Sequence, residues 1–296
     1  MAFVKKVFFI ENETKAFLFL MKKFHISQKE SQRWIDKKRV KLNGEILINK
    51  AAFLKGEVEI SLYEPSPFGL KPLFESKDFA LFDKPSGLLV HPKNRKTLHS
   101  LTDDVRYLFG KDANIAHRID KETSGLVLCS KNKESEIYFK KAFEKREIKK
   151  GYLAFVKGEL KQELFIDEPI AKNREYSDIK LKVRIDKSGK EAKTYIKPIK
   201  YFQEKNITLI EAIPLTGRQH QIRVHMFHVK HPIVGDPIYG MSFENAEAYL
   251  NRELDQKRRK ELTGADRLML HANWIEFIYK GFRYKLYSKM DFRDTL

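Results

Sequence analysis

Apolar residues follow two kinds of pattern along this chain, and the changeover divides it. Between positions 14 and 24, Phe17, Leu20, Met21 and Phe24 recur at helical spacing with Lys15, Lys22 and Lys23 off the stripe, which predicts an amphipathic helix. Ser27 then stands as an N-cap with Glu30 three residues on, the two halves of a capping box, so a second helix is expected through Trp34 and Ile35. From Arg39 to Ile48 apolar and polar residues alternate around Asn43-Gly44, a pair that accepts the positive φ angles of a two-residue hairpin turn. A further strand is expected at 57–62, and Glu64-Pro65-Ser66-Pro67 reads as a linker. Residues 1–66 therefore form a small module of helices and strands, marginal in size for independent folding.

Beyond Pro67 the pattern becomes strand-length apolar runs at 79–82, 125–129, 152–156, 194–199 and 207–213, with helical spacing at 135–143, 219–227 and 244–261. No low-complexity run or internal repeat divides this part, so 67–296 is expected to be one domain mixing helices and strands. The stretch 241–266 is polar, charged and helical, and is expected to be a surface excursion without chemistry.

Composition narrows the class. With 42% hydrophobic and 12% aromatic residues, global disorder is excluded. The 58 Lys and Arg against 40 Asp and Glu give a net charge of +18, and the excess runs through the whole chain, since the first 66 residues hold 13 basic and 8 acidic side chains. Such an excess favours a polyanionic partner, because each cation that meets a phosphate releases condensed counterions. The one cysteine, Cys129, excludes a disulfide framework and a multi-cysteine zinc site, and its apolar neighbours predict that it packs as a small hydrophobe. Apolar runs such as Phe17–Leu20 fall far short of a membrane span, and no small-residue cleavage site follows the N-terminus. A cytoplasmic protein with no membrane partner is expected, and no obligatory protein partner is evident.

Three polar clusters interrupt the apolar runs. The first, Asp83-Lys84-Pro85-Ser86-Gly87 followed by Leu88 to Pro92, is a strand leaving into a turn. The second runs from His117-Arg118-Ile119-Asp120 through Thr123-Ser124-Gly125 into an apolar strand, which sets a carboxylate at the edge of a core among basic neighbours. The third, Thr216-Gly217-Arg218-Gln219-His220-Gln221-Ile222-Arg223, opens a helix with amides and cations suited to an anion, and Gly235-Asp236-Pro237 follows. His220, His225, His228 and His231 also fall close together. The first two lie about 140° apart on a helix and no carboxylate accompanies the four, so no metal is expected. No glycine-rich phosphate loop is present, and no nucleotide cofactor is expected.

In order, these clusters resemble the RluA-type family of RNA pseudouridine synthases. HRIDKETSGLVLCSKN at 117–132 carries the resemblance, with DKPSGLLVHP, FEKREIKKGYLAFVKG, LTGRQHQIRVHM, IVGDPIYG and RLMLHA around it across residues 74–290. Ile119 stands where the family has Leu, and Tyr279-Lys280 departs from a His-Pro pair. The stretch ISQKESQRWIDKKRVKLNG resembles an S-four-type RNA-binding domain, with Gln28 where that family often has Arg and Lys38 where it often has Gly. The resemblance implies an α+β fold, a mixed and mainly antiparallel central sheet with flanking helices, preceded by a small α+β RNA-binding module at 1–66. It implies isomerisation of uridine in structured RNA without a cofactor, ribosomal RNA of the large subunit first and transfer RNA second. Asp120 would be the catalytic carboxylate, Arg223 its partner and Tyr152 the aromatic against the uracil. Arg118 and His117 would lie near the target base, Lys150 and Arg218 would meet phosphate, and Arg33, Lys37, Lys38, Arg39 and Lys41 would grip RNA backbone. A non-catalytic RNA-binding or ribosome-assembly factor and a metal-dependent nuclease are the rival classes. The joint presence of Asp120, Tyr152 and Arg223 argues against the first, and the lack of a carboxylate cluster against the second.

Overall fold

The computed structural model describes residues 3–94, 96–172 and 183–292. Its contacts group into two units, Met1–Pro67 with Pro92–His99, and Phe68–His91 with Ser100–Leu296.

The first unit runs β1 (Phe3–Lys15), α1 (Ala16–Phe24), α2 (Gln28–Asp36), β2 (Val40–Leu42), β3 (Glu45–Ile46) and β4 (Phe53–Tyr63), with an antiparallel sheet in the order β1-β4-β2-β3. Leu54, Val58, Ile60 and Leu62 of β4 turn inward onto Leu20, Ile35 and Val40, the alternation that a one-sided sheet demands. Ser27 Oγ accepts the Glu30 N–H at 3.2 Å and so caps α2. Asn43 and Gly44, at φ 48° and 86°, close the β2–β3 turn, and the Asn43 amide also accepts the Glu57 N–H at 2.9 Å. Thr14 and Lys15, read from spacing as the start of a helix, instead pair with Leu54 and Phe53 at the end of β1.

The second unit runs β5 (Phe74–Glu75), β6 (Phe79–Lys84), α3 (Leu101–Phe109), β7 (Asn114–Ile115), β8 (Ser124–Ser130), α4 (Lys133–Glu144), β9 (Lys149–Lys157), β10 (Leu164–Asp167), β11 (Ile170–Lys172), β12 (Val183–Ile185), β13 (Lys193–Phe202), β14 (Ile207–Pro214), α5 (Gln221–His228), α6 (Phe243–Asn251), α7 (Gln256–Thr263), β15 (Leu270–Tyr279) and β16 (Phe282–Tyr287). The main sheet has the order β10-β13-β14-β9-β15-β8-β6-β5, with β16 beside β15 and β7 beside β8. Every pairing in it is antiparallel except β15 with β8, so the fold is α+β with a mixed, mainly antiparallel sheet.

Strands β6 and β8 are covered on both faces. Phe79, Leu81, Leu126 and Leu128 enter one core, and Ala80, Phe82, Val127 and Cys129 the other, which is why these segments read as continuous apolar runs. Burial pushes the Cys129 thiol up to about 12, against any nucleophilic use. Gly125 permits the parallel contact of β8 with β15: it sits at φ 106°, and a Cβ there would lie 2.3 Å from the Ala272 carbonyl oxygen. The helical spacing at 244–261 is interrupted. Arg252 at φ 66° ends α6, and Asp255 caps α7 by accepting the Arg258 N–H at 2.7 Å.

Candidate active site

The segment before β8 carries Arg118 and Asp120, and the turn after β6 holds it in place. Lys84 is fully buried, and its ammonium donates to the carbonyls of Pro85 at 2.8 Å, Leu88 at 2.8 Å and Lys121 at 3.1 Å, using all three protons. Burial pushes this ammonium down to about 7, with Glu122 and Asp120 opposing the shift. The Gly87 N–H donates to the same Lys121 carbonyl at 2.9 Å, and Ser86 Oγ to the Glu122 carbonyl at 2.6 Å. The first polar cluster is thus a brace for the second.

The third cluster is built around Gln221. Its Oε1 accepts from Thr216 Oγ1 at 2.7 Å and the Arg218 N–H at 3.0 Å, while its Nε2 donates to the Lys193 carbonyl and Thr194 Oγ1, each at 2.9 Å. This fixes the start of α5 and the direction of Arg223 on its first turn. The Arg223 guanidinium forks onto Asp236, Nε to Oδ2 at 2.7 Å and Nη2 to Oδ1 at 2.8 Å, and Nη1 reaches Asp120 Oδ2 at 3.2 Å. Burial alone would raise the Asp236 carboxyl, but Arg223 and the N–H groups of Tyr239 and Ile238 hold it below the usual carboxylate range. The guanidinium also lies 5.2 Å from the Tyr239 ring centroid.

Asp120, Arg118, Lys150, Tyr152, Arg218 and Arg223 line one pocket. Tyr152 is 7% exposed on β9, and burial with the nearby Asp120 charge pushes its phenol up, so it stays protonated. Lys150 lies two positions earlier on the same side of the strand, its ammonium 5.4 Å from the Phe143 ring centroid and pushed down to about 8 by burial. Arg118 is exposed at the rim.

Residues 78–228 match the family model described as RNA pseudouridylate synthase. The chain belongs to this family. It is 38% identical over 291 residues to a Helicobacter pylori (strain J99) protein named as an uncharacterized RNA pseudouridine synthase, covering 98% of this chain and 97% of the relative. It is 31% identical over 228 residues, 72% of this chain and 65% of the relative, to a Nitrosomonas europaea protein named ribosomal large subunit pseudouridine synthase D. A solved structure of human RNA pseudouridylate synthase domain containing 1 superposes with a TM-score of 0.58 at 23% identity, covering 75% of this chain and 84% of that one, and shows the shared fold. The enzyme is an RNA pseudouridine synthase.

Sequence reasoning paired Arg223 with Asp120 alone, whereas in this pseudouridine synthase the bidentate partner of Arg223 is Asp236. The signal was present in Gly235-Asp236-Pro237, but a carboxylate 13 residues further along has no local mark of its partner. His220, which the sequence places in the third cluster without a role of its own, stands with Nε2 3.8 Å from Asp120 Oδ2. The other histidines face elsewhere: His225 bonds Thr194 Oγ1 and the Glu168 carbonyl, and His231 the Lys157 carbonyl. Among the described residues no group of His, Cys, Asp or Glu could hold a metal ion. His117 turns inward, its Nε2 accepting the Leu128 N–H at 3.1 Å, and does not line the pocket.

The stretch 241–266 is helical and mostly exposed, and one of its arginines reaches the segment that follows Asp120. Arg259 of α7 pairs with Glu122 at 2.9 Å, two residues after Asp120, and donates to the Gly235 carbonyl at 3.1 Å, next to Asp236. Its guanidinium lies 5.2 Å from the ring centroid of Tyr249 on α6. Sequence missed this because a charged helix looks the same whether its arginines face water or a carboxylate.

The five candidate RNA contacts of the first unit cluster by charge. Burial, then Arg39 and Arg33, push the Lys37 ammonium below its usual value, and the Arg39 guanidinium packs 5.2 Å from Phe3 and 5.9 Å from Trp34. Lys41 lies 3.6 Å from Glu59. Lys38 adopts φ 54°, the backbone region that glycine favours.

Proposed function

We propose that this enzyme isomerises uridines of large-subunit ribosomal RNA, with Asp120 as the catalytic carboxylate. The observation that carries the reading is one carboxylate held by a clamped guanidinium in the same pocket as a buried tyrosine. A paired base is out of reach, so the target uridine leaves its stack at a cost of a few kcal/mol. Stacking on Tyr152, worth about 1–3 kcal/mol per base, offsets much of that cost. Arg118 at the rim enters the space the base vacates. Arg223 holds the Asp120 carboxylate aimed at the ribose, where it acts while the base is detached, turned and rejoined through carbon. The Tyr152 hydroxyl assists loss of the proton from the carbon that forms the new bond, and Lys150 and Arg218 hold phosphate. No metal or organic cofactor takes part.

The first unit acts as an S-four-type RNA-binding domain, with Arg33, Lys37, Lys38, Arg39 and Lys41 on the backbone of the same RNA, in the cytoplasm. Among the described residues no helix is long and apolar enough to cross a membrane. The name of the Nitrosomonas europaea relative supports the ribosomal substrate. Pseudouridine mapping of total RNA with and without the gene tests it. Loss of sites confined to large-subunit ribosomal RNA is expected, and loss confined to transfer RNA would overturn it.

A further inference from the structure

We infer that His220 is a positioning residue, which donates its Nε2 proton to Asp120 Oδ2 and leaves Oδ1 to face the substrate. The inference deepens the proposed function and rests on Asp120 being the catalytic carboxylate.

Three observations carry it. The backbone of His220 is left-handed, at φ 52° and ψ 20°, directly before α5. A residue with a Cβ is costly there, and such strain persists where the surroundings impose it, often at functional sites. The side chain is only 10% exposed and spans two partners, with Nδ1 3.1 Å from the Tyr239 hydroxyl and Nε2 3.8 Å from Asp120 Oδ2. The Tyr239 oxygen accepts the Val183 N–H at 3.0 Å, and its own proton has two acceptors, the Val183 carbonyl at 3.3 Å and His220 Nδ1 at 3.1 Å. The shorter contact to Nδ1, with an acceptor-only carboxylate oxygen before Nε2, puts the imidazole proton on Nε2, towards Asp120. Finally, the Arg223 contact to Asp120, at 3.2 Å, falls on the same Oδ2. Both neighbours therefore load one oxygen and spare the other.

The groups facing the ring are Arg223 of α5, Asp120 before β8, and Asp236 and Tyr239 after α5. Burial and Arg223 push His220 down to about 4 against Asp120 and Asp236, so the ring is neutral at physiological pH. It serves as a dipolar donor, where a second cation would bind the carboxylate charge too firmly for reaction. The 3.8 Å separation shortens to a hydrogen bond when substrate excludes water, as catalytic contacts commonly do.

The test compares wild type, His220→Gly, His220→Gln and Asp120→Asn in steady-state pseudouridine formation on ribosomal RNA across pH. Glycine adopts φ 52° freely and removes the donor; glutamine restores an N–H near the Nε2 position. His220→Gly is expected to lower kcat on the order of 10²-fold, as for loss of one preorganised donor. Its KM for RNA should change by less than about twofold. The acid limb of its kcat profile should move to higher pH, because a carboxylate that loses a donor binds its proton more tightly. His220→Gln should restore the limb and most of the rate. A His220→Gly enzyme with wild-type rate and limb, beside an inactive Asp120→Asn, overturns the role of His220 and leaves the function standing. So does a loss that glutamine fails to rescue. Activity in Asp120→Asn overturns the underlying reading, and this inference with it.

Discussion

The Arg223 guanidinium is the most constrained side chain of the site, because its two carboxylate partners make unequal demands on it. Asp236 takes two of its nitrogens in a fork at 2.7 and 2.8 Å and is fully enclosed, while Asp120 takes the third at 3.2 Å and remains 27% exposed. The fork sets the geometry and the remaining N–H does the work on the exposed carboxylate. Asp236→Asn leaves that guanidinium without its buried countercharge, and is expected to destabilise the protein by about 3–5 kcal/mol in urea unfolding. The pH dependence has a definite sign. Asp236 is held below its unfolded value, so it contributes stability at neutral pH that is lost as pH falls below about 4 towards its folded value. The urea midpoint of the Asn variant should therefore fall less steeply with acid than that of wild type. Arg223→Lys should fail as a replacement in activity assays, since an ammonium cannot reproduce a planar fork on one carboxylate while reaching a second.

At the scale of elements, the reactive loop is held from two sides. The β6 turn braces it through Lys84, and α7 braces it through Arg259 and Glu122. Lys84→Met strips a donor from three carbonyls, and at about 1–3 kcal/mol for each buried group left unpaired it should lower the urea midpoint markedly and reduce turnover with it. Arg259 and Glu122 are nearly buried, at 11% and 12% exposure, so a double-mutant cycle of alanine variants should give a coupling of about 1–3 kcal/mol by urea unfolding; additive effects would remove α7 from the site. These braces were not legible in the sequence, since each joins segments tens of residues apart and no local pattern names the partner. What was legible had a local cause: the Ser27 cap, the Asn43-Gly44 turn, and strands β6, β8, β9, β13 and β14, whose apolar runs are complete in themselves. Strand β1 escaped because Val7 and Phe9 are exposed on the face opposite the core, which cancels the alternation. Strand β15 escaped because its register is set by β8, β9 and β16 on either side of it. The ordered motifs were enough to put Asp120, Tyr152 and Arg223 in one pocket, but His220 and Asp236 became visible only with the chain folded.

For the whole molecule, the net charge of +18 now divides by task. Arg223 is enclosed, Arg118, Lys150 and Arg218 line the pocket, and the Arg33–Lys41 stretch concentrates cations in the first unit. RNA affinity should fall steeply with salt, and each lost phosphate contact, for instance in Arg33→Ala, should lower the slope of log K against log salt by about 0.7–0.9. Turnover at saturating RNA should be little changed in that variant. If a single carboxylate among the 40 acidic residues carries the isomerisation, release of the C5 hydrogen must depend on it. With ribosomal RNA carrying 5-tritiated uridine, the wild-type enzyme should release tritium, and Asp120→Asn should bind the same RNA with unchanged affinity and release none above background. Release by Asp120→Asn at the wild-type rate would show that another group carries the isomerisation.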